Sequence, residues 1–310
     1  MSGQLSLSGV IPPVCTPRGV DGELDRASLA RLCGFLIDAG VSGLFVGGSS
    51  GEAALLDEAT RLTALDVAVA TAAGRVPVLY GAIETGTRRV LEAARPAADH
   101  GAAAVVATVP FYVAPNQREV LAHFTVLATR LKIPVVAYDI PSATHVRLRP
   151  ETSIALAREG AAIALKDSSG DLAGLRAIIG ATRELPFQVL TGSETLADVA
   201  LSFGADGLVP GLGNVDPAGY VRLHRAARAG DFDSAALEQS RLTRLFAIVG
   251  AADLNRIGFT AGALGSFKEA LVQRGVIDLA DLWPPLLPLL AAEKTTIREL
   301  LESALGAVRN

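Results

Sequence analysis

Residues 134–171 read PVVAYDIPSATHVRLRPETSIALAREGAAIALKDSSGD, and the fold is decided there. Two runs, 134–139 and 162–166, are apolar with almost no alternation. A strand with one wet face alternates apolar and polar side chains, so an unbroken apolar run marks a strand buried on both faces, as in a parallel sheet. The segment between the two runs reads as an amphipathic helix. Working outward, the same unit recurs. Further strand candidates lie at 9–16, 43–47, 76–82, 104–109, 188–191 and 207–210. Helical periodicity fills the gaps. Residues 25–37 open on Asp25, an N-cap candidate, and place Leu29, Leu32, Leu36 and Ile37 on one face. Residues 57–72 do the same with Leu62, Leu65 and Val69.

Eight such units predict an α/β chain of the (β/α)8 TIM-barrel class. The rival is a doubly wound sheet, which carries a glycine-rich dinucleotide turn after its first strand. Here that turn reads IPPVCTPRGVDG. Only helical patterns follow the eighth strand, at 217–229, 234–249, 254–273 and 285–308. The expected division is a catalytic barrel over residues 1–229 and a C-terminal α-helical extension over 230–310, packed on the barrel.

The composition fits this and excludes other classes. The chain has 310 residues, 28 Lys plus Arg, 32 Asp plus Glu and a net charge of −4, with 50% hydrophobic, 19% charged and 5% aromatic residues. Disorder needs the reverse balance. A chain of this length buries roughly 75% of its unfolded surface, which is enough without staples. An acidic, aromatic-poor protein is a poor match for nucleic acid. Cys15 and Cys33 are too few for a disulfide framework and read as small core residues, the alternative being a catalytic thiol. The N-terminal residues lack the basic and apolar regions of a signal peptide. Although mean hydropathy is +0.39, the uncharged stretch 101–117 falls short of the ~20 residues a membrane span needs and contains two prolines. A cytoplasmic protein that contacts no membrane is expected.

In a barrel, reactive groups sit at the C-terminal strand ends and on the loops that follow them. Lys166 is the most informative residue there. It closes the apolar run Ile163-Ala164-Leu165-Lys166, in a chain with only four lysines: Lys132, Lys166, Lys268 and Lys294. Two readings stand: a structural salt bridge to a carboxylate such as Asp167, or a Schiff-base nucleophile. Imine formation needs a neutral amine, and an apolar pocket disfavours the ammonium. Tyr138 ends the preceding strand, where a phenol beside an amine can carry protons. Tyr112 follows the fourth strand and reads either as a catalytic phenol or as a packing aromatic. Gly47-Gly48-Ser49-Ser50-Gly51-Glu52 joins the second strand to a helix; its backbone N–H groups and serine hydroxyls suit a carboxylate. Glu84, Asp139 and His145 sit at the mouth without an assigned role. The chain has no P-loop motif, and its four histidines lack metal-ligand spacing, so neither metal nor cofactor is expected.

Taken together, GGSSGE at 47–52, Tyr138-x-x-Pro141 and Lys166-Asp-Ser-Ser-Gly-Asp171 resemble the dihydrodipicolinate synthase / N-acetylneuraminate lyase family of class I aldolases, over the barrel and the helical tail. The resemblance implies a pyruvate Schiff base on Lys166. It also implies a carboxylate-holding loop at Gly48, Ser49 and Ser50, with Ser50 among the catalytic residues, and a proton relay through Tyr138. Tyr112 is implied to reach a neighbouring subunit's site, Gly192 and Val209 to line the pocket, and the chain to form a homotetramer built as a pair of dimers. The family's synthases follow the fifth strand with Tyr-Asn-x-Pro-x-Arg-Thr-Gly, whose arginine clamps the aldehyde's carboxylate. This chain has Tyr138-Asp139-Ile140-Pro141-Ser142-Ala143-Thr144-His145, with Arg147 nearby but out of step. Alanine at 143 is similar to aldolases of 2-keto-3-deoxy sugar acids. The first expectation is therefore retro-aldol cleavage of such an acid to pyruvate and an aldehyde. The alternative is 4-hydroxy-tetrahydrodipicolinate synthase or a sugar-acid dehydratase, and the third is a barrel that binds a 2-oxo acid without turnover.

Overall fold

The computed structural model describes residues 5–306. Eight strands form one parallel sheet: β1 (Gly9–Val10), β2 (Leu44–Val46), β3 (Val78–Gly81), β4 (Ala104–Thr108), β5 (Val135–Asp139), β6 (Ala164–Asp167), β7 (Gln188–Thr191) and β8 (Gly207–Leu208). Their order is β1-β8-β7-β6-β5-β4-β3-β2. A parallel bridge between Pro13 and Phe45 closes the ring, supported by Val14 N–H donating to Phe45 O at 2.8 Å and Phe45 N–H to Pro12 O at 3.0 Å. The sheet is thus a (β/α)8 barrel. The first strand is shorter than the expected 9–16 because Pro12 and Pro13 have no N–H for a ladder. The last, expected at 207–210, stops before Pro210.

Alternation along each strand explains the continuous apolar runs. Val136 and Tyr138 point into the barrel with Ile11, Phe45, Val106, Ala164 and Val209, whereas Val135 and Ala137 pack outward under the helices. Both faces are dry, so both must be apolar.

The helices are α1 (Arg26–Asp38), α2 (Glu58–Ala72), α3 (Thr87–Ala94), α4 (Gln117–Arg130), α5 (Pro141–Thr144), α6 (Pro150–Glu159), α7 (Leu172–Thr182), α8 (Ala197–Ser202), α9 (Pro217–Arg228), α10 (Phe232–Phe246), α11 (Phe259–Gln273) and α12 (Ala291–Leu305). The predicted caps are present. Asp25 accepts from Ser28 N–H at 2.9 Å and Asp57 from Thr60 N–H at 2.8 Å. Three boundaries in the C-terminal region differ from the sequence reading. Helix α10 begins two residues before the expected 234, where Asp231 caps it by accepting from Ser234 N–H. Helix α11 begins at 259, not 254, after a turn around Asp253. Helix α12 begins at 291, not 285, because Pro285 sits in a turn and Pro288 cannot donate to a helical ladder; the expected residues 307–308 lie outside the described residues. The short α5 inside the loop after β5 was not expected. Cys15 and Cys33 are free and buried, and burial pushes both thiols up to about 12, as core residues rather than reactive ones. Among the described residues no helix is long and apolar enough to cross a membrane.

Candidate active site

Strands β5 and β6 pair in a register that sets Tyr138 beside Lys166 and Asp139 beside Asp167. Alternation then divides the two pairs. Tyr138 and Lys166 face the barrel interior, and the two carboxylates face the loops and helices. Lys166 is 4% exposed. Its Nζ lies 3.9 Å from the Tyr138 ring centroid and 5.0 Å from that of Phe45. The other three lysines are ion-paired: Lys132 with Asp99, Lys268 with Glu52 and Lys294 with Glu269. Lys166 forms no ion pair among the described residues. The structural alternative, a bridge to Asp167, does not form. Asp167 Oδ1 accepts instead from Ser169 N–H and Oγ, both at 2.8 Å, and burial pushes its carboxyl above the usual range.

The loop after β2 brings Ser49 Oγ to 3.5 Å from Tyr138 OH. Only glycine fits at 48, where a Cβ would meet the Phe45 ring at 2.7 Å. Ser50 is half-buried beside Gly211. On the opposite wall, a Cβ on Gly192 would lie 2.1 Å from Ser168 Oγ and 3.4 Å from Lys166 Cε, so glycine lets the β7 loop close on the lysine. Val209 is buried in the barrel interior, its N–H donating to Thr191 O at 2.7 Å. A cleft of about 210 Å³ opens between the β6 and β7 loops, lined by Asp167, Ser168, Asp171, Ser193 and Glu194 among others. Glu194 had no role from sequence. Its Oε1 accepts from Gly211 N–H at 2.9 Å, and loss of solvation pushes its carboxyl up.

The loop after β5 answers the questions the sequence left open. Ala143 is exposed on α5, and His145 ends α5 at φ 56°, a left-handed position that suits glycine. Arg147 is committed to ion pairs. Its Nη2 is held by Asp171 Oδ2 at 2.5 Å, and its Nε lies 4.0 Å from Asp139 Oδ2. Asp139 accepts from Leu148 N–H at 2.9 Å, and burial, with the Asp167 charge adding, pushes its carboxyl up to about 7. Glu84 pairs with Arg61 at 2.9 Å and Arg89 at 3.2 Å, tying the β3 loop to α2 and α3. Tyr112 is 97% exposed, with φ 70°; within one chain it does not join the Lys166 cluster. Among the described residues no three His, Cys, Asp or Glu side chains gather to hold a metal ion.

A lysine without an ion pair, on an apolar barrel floor, with a phenol and a hydroxyl-bearing turn beside it, defines the class of lysine Schiff-base barrel enzymes. The dihydrodipicolinate synthetase family model matches residues 6–304, and the chain belongs to that family. It is accordingly an enzyme of the class I, Schiff-base-forming carbon–carbon lyases. The 4-hydroxy-tetrahydrodipicolinate synthase of Xanthomonas campestris pv. campestris is 36% identical over 302 residues, covering 97% of this chain and 96% of the relative. That of Xylella fastidiosa is 36% identical over 92% of this chain and 90% of its own. Among solved structures, the E. coli K12 prophage protein YagE, crystallised with pyruvate, superposes with a TM-score of 0.88 at 31% identity, covering 96% and 98% of the two chains. Dihydrodipicolinate synthase from Bacteroides thetaiotaomicron gives 0.90 at 31% identity, covering 97% and 99%. The synthase names agree with the alternative reaction expected from sequence, not with the first.

Proposed function

We propose that the chain is a pyruvate-dependent Schiff-base aldolase whose second substrate is an uncharged, hydroxyl-bearing aldehyde, as in cleavage of a 2-keto-3-deoxy sugar acid. The observation that carries the Schiff-base half is that, among the described residues, Lys166 alone of the four lysines has no carboxylate partner. Its amine attacks the C2 ketone, water leaves, and the protonated imine becomes an electron sink. Tyr138, in reach of Ser49, relays the proton from the C4 hydroxyl. The C3–C4 bond breaks, the aldehyde departs, and the enamine is reprotonated at C3 and hydrolysed to pyruvate. Gly48, Ser49 and Ser50 hold the substrate carboxylate in this reading, and Gly192 and Val209 line the pocket. The aldehyde half rests on Ala143, which stands where the family's synthases carry their arginine, and on the commitment of Arg147 to Asp171. Ser168, Ser193 and Glu194 on the β6 and β7 loops are partners for hydroxyls rather than for another carboxylate.

The second reading is 4-hydroxy-tetrahydrodipicolinate synthase, favoured by the names of relatives at 36% identity. In either reading Tyr112 serves a neighbouring copy, in a homotetramer that light scattering would register.

Borohydride reduction with pyruvate, followed by peptide mass spectrometry, tests the common step. A pyruvyl adduct on the Lys166 peptide is expected, and its absence in folded protein would sink the Schiff-base reading in favour of a binding protein. Assay of the same sample with aspartate semialdehyde, against cleavage of sugar-acid aldols, separates the two reactions. Turnover of aspartate semialdehyde alone would overturn the first reading.

A further inference from the structure

The GGSSGE loop is anchored from the far end of the sequence. The Glu52 carboxylate and the Lys268 ammonium form an ion pair in which both side chains are 0% exposed. Glu52 Oε1 also accepts from Trp283 N–H at 2.9 Å, and Lys268 Nζ donates to Asp281 O at 2.9 Å. Thr16 Oγ donates to Gly51 O at 2.8 Å, and the Trp283 indole donates to Thr16 O at 3.3 Å. Lys268 sits on α11, where residues from Ala261 to Leu271 are all buried. Its neighbour Phe267 packs against Gly211, the same glycine that Ser50 Oγ approaches.

A hydrophobic pair of similar volume would stabilise the molecule about as well as a buried ion pair, so stability alone does not account for the charges. What a buried ion pair adds is a fixed geometry, and Glu52 needs one. Its φ of 56° lies in the left-handed region, which a non-glycine residue holds only when its surroundings impose it.

We infer that Lys268 is a positioning residue for the substrate carboxylate, acting from the C-terminal extension through Glu52 on the turn that carries Ser49 and Ser50. This rests on the reading of that turn as the carboxylate site. The helical extension is then part of the machinery for 2-oxo acid binding, although it supplies no group to the chemistry.

The test is pyruvate-dependent borohydride trapping on the full chain, read as the half-saturating pyruvate concentration and the limiting rate, with Tm measured alongside. Two neutral pairs, Glu52→Gln/Lys268→Met and Glu52→Leu/Lys268→Met, avoid leaving one buried charge unpaired, and a folding defect in one leaves the other usable. The expected result is a half-saturating concentration raised more than tenfold with the limiting rate within threefold of wild type, and near-wild-type behaviour for Lys268→Arg. A folded neutral pair with half-saturation within threefold of wild type would overturn the inference, whatever its Tm. So would a fall in limiting rate alone. Failure of the functional reading itself is visible separately, as absence of trapping in the wild-type protein.

Discussion

Replacing Asp139 by Asn is expected to stabilise the protein at pH 8 and to change little at pH 4. Asp139 is 1% exposed and faces Asp167 across the β5–β6 pair, which together with burial raises its carboxyl from 3.8 to about 7. The folded state therefore binds this proton more tightly than the unfolded chain does. Below the unfolded value both states carry the proton and the contribution is fully present. Between the two values folding takes up a proton, and stability falls as pH rises, until the contribution is lost above about 7. At 1.36 kcal/mol per pH unit this amounts to roughly 4 kcal/mol at most. Asn keeps the Oδ1 that accepts from Leu148 N–H and does not titrate. It gives up the approach of Arg147 Nε at 4.0 Å, a partly exposed contact worth ~0–1 kcal/mol. The net gain at pH 8 is thus about 3 kcal/mol, shrinking towards zero at pH 4. Urea denaturation of both proteins at pH 4, 6 and 8 reads it directly. Parallel stability curves for the two proteins, or an Asn variant weaker at pH 8, would refute the argument that a buried, proton-holding carboxyl sits there.

Other substitutions probe the site and the frame. Tyr138→Phe keeps the ring against Lys166 but removes the hydroxyl near Ser49, so kcat in an aldol-cleavage assay should fall by ~10²–10⁴. Gly192→Ala displaces the Ser168 hydroxyl and sets a methyl group against Lys166 Cε; circular dichroism should show an intact barrel while the half-saturating pyruvate concentration for borohydride trapping rises. Ala143→Arg puts a guanidinium on exposed α5, and kcat/KM for aspartate semialdehyde relative to a neutral aldehyde should rise tenfold or more, since a hydrogen bond to a charged group contributes about 1.5–3 kcal/mol. Asp25→Ala removes the cap on α1 and should lower stability by about 1 kcal/mol, seen as a lower Tm with unchanged kinetics.

The site has two layers that differ in how they arise. Tyr138 and Lys166 are set by strand register alone, because alternate residues on neighbouring strands share a face. The turn carrying Ser49 and Ser50 depends on partners far away in sequence, Trp283 and Lys268. On the proposed reading, substitutions in the first layer should act on chemistry. Those in the second should act on binding through geometry.

The barrel was legible in the sequence, and so was the lysine at the heart of the candidate site. Apolar runs with no alternation occur where both faces of a strand are dry, and eight of them separated by capped helices leave few other architectures. Lys166 is legible for the same reason, since a lysine closing such a run stands out in a chain with four. Three things were settled by the tertiary structure. The sequence could not say whether Lys166 is paired, because its neighbour Asp167 points to the other side of the strand and binds Ser169. It could not say whether Arg147 stands in for the missing arginine; the folded β5 loop gives that side chain to Asp171. And it gave no sign that Lys268 and Glu52 meet, because 216 positions separate them in the chain and only the docking of α11 on the barrel brings them together. Periodicity reports on which face of an element is buried. It carries no information about which distant side chains share that burial.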